Sequence, residues 1–223
     1  MKTLQHYITE KILINKNSKL AYNYYPETKY ELKDIIKRRI ESEGKKCDLN
    51  DIDTSNITDM SWLFEDSDFN GDISKWNVSK VTNMGGMSFG SKFKGDISKW
   101  DISNVTNMNY MFSLTKFDGD ISKWNVSNVI NMYGMFYKSE FNGDISKWDV
   151  FNVTDMKKMF MRSKFNSDIS NWDVTNVRDM QAMFAGSKFN ADISNWDVSN
   201  VTNNVNMFDD CPIEEKYKPK FKK

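Results

Sequence analysis

GDISKWDISNVTNMNYMF, residues Gly95 to Phe112, is the stretch that the rest of the chain copies. Its tryptophan recurs as Trp76, Trp100, Trp124, Trp148, Trp172 and Trp196, each 24 residues after the last. The phenylalanine seven positions upstream keeps the same step as Phe69, Phe93, Phe117, Phe141, Phe165 and Phe189. A fixed period of this size marks stacked units, each of which buries its apolar face only against its neighbours.

Within one copy, Ile73, Trp76 and Val78 stand at positions 1, 4 and 6, the LxxLxL spacing of a leucine-rich repeat. Trp76 and Val78 alternate as on a strand, which turns Lys75, Asn77 and Ser79 outward. Val81, Met84, Met87 and, in most copies, a phenylalanine such as Phe112 follow at a spacing of three and four, which predicts one or two helical turns. The repeat therefore reads as strand, corner, short helix and return loop, with a parallel sheet along one side of the stack.

The flanks fit this reading. CDLNDIDTSNITDM, from Cys47, aligns with the repeat so that Leu49, Ile52, Ile57 and Met60 match Ile73, Trp76, Val81 and Met84. The last copy has Asn204 in place of a methionine and closes on Asp209-Asp210-Cys211-Pro212; terminal copies, with one neighbour instead of two, are expected to be atypical. Upstream, Thr28 and Glu31 form a capping box, Leu32, Ile35, Ile36 and Ile40 make one helical face, and Gly44 stands at the C-cap. They predict a helix over about 29–43 that covers the open end of the core. Between Tyr7 and Tyr25, two apolar patches around Asn15-Lys16-Asn17-Ser18 suit a hairpin. The expected fold is α/β, a right-handed, leucine-rich-repeat-like parallel solenoid of about seven 24-residue turns. It divides into an N-terminal cap at 1–44, the solenoid at 45–212 and a basic tail at 213–223 that reads as a solubilising extension.

Residues 1–44 carry 9 basic and 6 acidic groups and the tail 5 and 2, so a chain of zero net charge holds about six net negative charges on its repeats. Nucleic acid is therefore not an expected partner. No apolar run has the length of a membrane span or a signal-peptide core, and the chain reads as cytosolic. Cys47 and Cys211, in the first and last turns, stand too far apart to bridge.

The pattern FxGDISxWDVSNVTxMxxMF, present six times from Phe69 to Phe208, resembles the BspA-type leucine-rich repeat family, in particular its mycoplasma-type branch of surface lipoprotein repeats. The resemblance implies a repeat solenoid and adhesion to host proteins or other cells. It also implies a cell or virion surface as the usual setting, while related copies occur in phage and mobile elements. A lipoprotein cysteine near the start, which surface display by this route requires, does not occur in the sequence.

Among chemistry-bearing residues, Asp72, Asp96, Asp120, Asp144, Asp168 and Asp192 form a column that suits either cation sites or turn caps; the replacement of the preceding glycine by Ser167 and Ala191 favours caps. The methionine pairs fit core filling. One histidine, His6, and no phosphate loop, nucleophile elbow or metal triad leave no catalytic set and no cofactor to expect. A second column includes Asp149, Asp173 and Asp197, and the lysines two residues before it stop after Lys147, which leaves an acidic patch suited to a basic partner. Departures from the repeat are the better guide to contacts. Phe151 replaces an outward serine, and Tyr110, Tyr133 and Tyr137 occupy variable positions, as aromatic residues at interfaces do. The expected function is a non-enzymatic scaffold that presents an extended surface to a protein partner, in host interaction or adhesion. The alternative is a phage or mobile-element protein that blocks a host protein inside the cell.

Overall fold

The structure, a computed structural model, describes residues 22–221. The expected hairpin falls, up to residue 21, outside them. Helix α1, Lys29–Glu43, begins where the Thr28 hydroxyl accepts the Glu31 N–H (3.2 Å), while the Glu31 carboxylate accepts the Glu27 N–H (2.7 Å). It stops at Gly44, whose φ of 91° ends the helical path. Leu32, Ile35 and Ile36 are buried and cover the first coil. Lys29 bonds the Asp59 carboxylate (2.7 Å) and the Ser61 hydroxyl (2.9 Å), and Arg39 grips both oxygens of Asp51 (2.8 and 2.9 Å).

From Cys47 the chain winds in 24-residue coils, each laid on the last. The repeated apolar positions all point inward: Trp76, Trp100, Trp124, Trp148, Trp172 and Trp196 are each 3–5% exposed. Phe112, Phe136, Phe160, Phe184 and Phe208 form one file of stacked rings with centroids 5.6–5.9 Å apart. Every one of the six indoles also donates its N–H to a carbonyl of the preceding coil, as Trp124 does to Ile97 (3.1 Å). A leucine would fill the space but make no such bond. In the first coil no earlier coil offers that carbonyl, and Ile52 stands in the tryptophan position, which avoids burying an unpaired donor.

The path within a coil differs from the expected strand and helix. Trp76 and Val78 do alternate inward against exposed Lys75 and Asn77, but turns close on both sides, Trp76 N–H to Ile73 C=O (3.1 Å) and Val81 N–H to Val78 C=O (2.9 Å). So little chain lies between these turns that no strand forms, and the parallel bridge that repeats from coil to coil falls further on, through Asp59, Asn83, Asn107, Asn131, Asp155, Asp179 and Asn203. The segment expected to be helical is a ridge of turns. Met87 N–H bonds Met84 C=O and Ser91 N–H bonds Ser88 C=O (both 3.1 Å), with left-handed residues at Gly86 (φ 61°) and Gly90 (φ 64°), the geometry of type II turns. Positive φ breaks a helix. The freed N–H groups go instead to the next coil: those of Met84, Gly86, Ser88 and Gly90 donate to the carbonyls of Asn107, Asn109, Met111 and Ser113 at 2.7–3.0 Å.

Side chains close the remaining corners. Asp72, Asn77 and Asn83 each accept the N–H two residues on (2.8, 3.1 and 3.0 Å), and Ser91 does so at the return. After Cys211 the chain does not run free: Ile213 is buried, Tyr217 and Phe221 pack on the core, and the Tyr217 carbonyl accepts the Ile193 N–H (3.0 Å). The segment expected to be a solubilising tail thus covers the final coil, because that coil would otherwise leave its apolar end in water.

Candidate binding surface

The Asp column of the DIS triplets caps turns. Asp96 Oδ1 accepts the Ser98 N–H (2.9 Å) and Asp144 Oδ1 that of Ser146 (2.9 Å), and these bonds hold both carboxyls below the usual carboxylate range. Among the described residues no group of three or more His, Cys, Asp or Glu side chains is placed to hold a metal ion. Cys47 and Cys211 are free thiols, and burial pushes that of Cys47 up.

Asp149, Asp173 and Asp197 are exposed, and all three cap a turn in the same way, their Oδ1 atoms accepting the N–H groups of Phe151 (3.1 Å), Thr175 (3.1 Å) and Ser199 (2.9 Å). Phe151 lies 47% exposed in a column otherwise filled by Ser and Thr. Tyr110 and Tyr133 come together on the ridge, with ring centroids 4.6 Å apart, and Lys157 stands 5.9 Å from the Tyr133 ring. Burial and a hydrogen bond with Tyr133 push the Tyr110 hydroxyl well above the usual phenol range, so it stays neutral. Tyr137 packs under the Lys138 ammonium (5.3 Å). No hydrogen bond or ring contact among the described residues joins these tyrosines to Asp149 or Asp173.

Between the two groups runs a shallow open groove of about 430 Å³, lined by Asn104, Thr106, Asn128, Ile130, Asn152 and Thr154. Each of its asparagines spends one amide N–H on the stack. The amides of Asn104, Asn128 and Asn152 bond carbonyls of the preceding coil (2.7 Å each), and the Thr106 hydroxyl bonds Thr82 C=O (3.2 Å). What remains is a row of amide oxygens, the second N–H of each amide and methyl groups around Ile130, which is 49% exposed. Ile130 is not among the contacts expected from the sequence, although its signal is legible there: it replaces the threonine of NVT in its copy. The stapling by Asn also explains why that triplet recurs.

Two overlapping segments, residues 36–142 and 113–218, match the family described as Mycoplasma protein of unknown function, DUF285. No curated protein and no solved structure matches the chain. Among the described residues no helix is long and apolar enough to cross a membrane.

Proposed function

We propose that this chain, which belongs to the DUF285 family, is a non-enzymatic, leucine-rich-repeat-like solenoid that binds a protein through the face centred on Ile130. The observation that carries this reading is a pair of half-exposed apolar residues, Ile130 and Phe151, on a face whose other positions are polar and bonded to the stack. Both side chains leave about half their surface to solvent, and an exposed apolar group beside amides with a spare oxygen and N–H suits a partner that brings a hydrophobic group and backbone N–H and C=O groups. The net negative charge of the repeats favours a basic partner. Adhesion to a host protein is the setting we propose, from the resemblance of the repeat to BspA-type repeats.

The test is affinity capture with the wild type beside the double variant Ile130→Asp/Phe151→Asp. Both substitutions lie on exposed positions, so the thermal midpoint should stay within a few degrees, while recovery of a specific protein falls about tenfold or more, an effect of at least about 1.4 kcal/mol. Equal recovery by both proteins, or nothing captured above background by the wild type, would overturn the proposal.

A further inference from the structure

Each coil passes four ridge N–H groups forward to the next, in one register throughout: Met60, Trp62, Phe64 and Asp66 to Asn83, Gly85, Met87 and Phe89, and so on through six interfaces. The seventh coil keeps the donor conformation. Asn206 and Asp210 are left-handed (φ 58° and 53°), and the turns Met207 N–H to Asn204 C=O and Cys211 N–H to Phe208 C=O (both 3.1 Å) are formed. Yet the forward N–H groups of Asn204, Asn206, Phe208 and Asp210 meet no acceptor among the described residues. The described chain beyond Cys211 covers the other half of the coil, where Glu214 N–H bonds Asn190 Oδ1 (3.2 Å); Lys218 reaches over the Phe208 ring (5.6 Å), but no acceptor is brought to the four N–H groups.

Residue size on the ridge says what fits there. The first left-handed position runs large then small in successive coils: Trp62 over Gly86, Tyr110 over Gly134, Lys158 before Ala182. The packing requires it, since a Cβ on Gly86 would fall 2.3 Å from the Trp62 ring and one on Gly134 would fall 2.6 Å from the Tyr110 ring. The second position pairs Asp66 with Gly90 and Arg162 with Gly186, with Leu114 and Lys138 as the exception. Asn206 and Asp210 are thus the large members of two pairs whose small members the described chain does not supply.

We propose that this edge binds a segment of a partner protein that winds through the same pair of turns as the ridge and has glycine at two positions four apart. Its backbone carbonyls accept the four N–H groups in the register used six times within the chain, continuing an interface already made. Exposed Asp209 and Asp210 add negative charge to the rim and select a segment that also carries Lys or Arg. A second copy of the chain has a matching row of ridge carbonyls in its first coil, but α1 lies over that end, with Lys29 on Asp59 and Ser61 and Lys33 on the Trp62 carbonyl (3.2 Å). With a second copy disfavoured, the occupant assigned here is a heterologous peptide, an edge-addition mode of recognition.

The probe is a synthetic peptide with the sequence of residues 83–91, NMGGMSFGS, flanked by lysines and titrated to roughly millimolar concentration into the full ¹⁵N-labelled chain. Expected are shift changes and slowed exchange at the amides of Asn204, Asn206, Phe208 and Asp210, and about tenfold weaker binding of the Gly86→Val/Gly90→Val peptide, a loss of about 1.4 kcal/mol. No response at these four amides, or equal binding by the valine peptide, overturns the proposal. Concentration-dependent shifts of the same amides without peptide also overturn it, assigning the edge to a second copy. The Ile130→Asp/Phe151→Asp chain should titrate like the wild type, which separates this edge from the lateral face.

Discussion

At Trp124 the indole fills the interior and also donates to the Ile97 carbonyl, so one side chain carries both the packing and a bond between coils. Trp124→Phe keeps a ring but leaves that carbonyl without its donor; with the lost volume, the expected cost is about 2 kcal/mol, seen as a lower urea midpoint at unchanged slope. The aspartates divide by environment. Asp72, Asp96 and Asp144 are held below 3.8 by backbone N–H bonds, so their contribution is complete above that value and is lost as pH falls through the lowered folded values. Asp155 has the opposite sign. Burial, with Asp179 beside it on the next coil, raises its carboxyl, so the folded state favours the protonated form and stability is recovered as pH falls through the raised value toward 3.8. In the same column Asn203 bonds Asp179 (3.1 Å) and Asn107 bonds Asn83 (2.9 Å). Asp155→Asn should therefore stabilise the chain by about 1 kcal/mol at pH 7, the worth of one hydrogen bond, and by progressively less toward pH 4. Urea melts at the two pH values check this, and an equal gain at both would refute the account.

The ridge is where sequence and structure part. Val81, Met84 and Met87 bury as a helical face would, and their spacing holds no sign that Gly86 and Gly90 turn left-handed. Later copies hide the signal further by placing Tyr110, Leu114, Lys138, Lys158 and Arg162 at those positions. A side chain there costs about 1–2 kcal/mol per residue, which the four N–H bonds to the next coil offset. Leu114 is 42% exposed and donates its backbone N–H to Tyr137 C=O (2.8 Å), a bond that glycine can also make. Leu114→Gly should raise the melting temperature by a few degrees, about 1 kcal/mol after the flexibility of glycine in the unfolded chain is counted. Gly90→Val should do the reverse, because its Cβ would fall 2.1 Å from Asp66 Oδ1 at a φ of 64°. Helix α1, in contrast, is legible to its bounds, since Thr28, Glu31, the apolar face and Gly44 are local signals that no neighbour has to supply.

Across the whole molecule, the period, the inward residues and the worn first and last copies can be read from spacing alone, because burial in a stack is imposed by a repeat on its own neighbours. The surface cannot be read so fully. Asp173 and Asp197 stand out by charge, but they serve turns as their counterparts do, whereas Ile130 draws its meaning from the groove around it. The terminal coils pack on one side against unlike chain, so amide exchange is expected to be fastest over 201–211 and slowest near 132–160; uniform protection along the stack would contradict this. The indole file gives the molecule an optical property as well. Rings 6.4 Å apart and within 3–4° of parallel, as for Trp76 with Trp100 and Trp172 with Trp196, are close enough to share excitation. Excitation passed between rings so nearly parallel turns the emitting dipole little, so the native protein's ultraviolet emission should keep its polarisation, and a loss beyond that of tumbling would report a tilt in either pair.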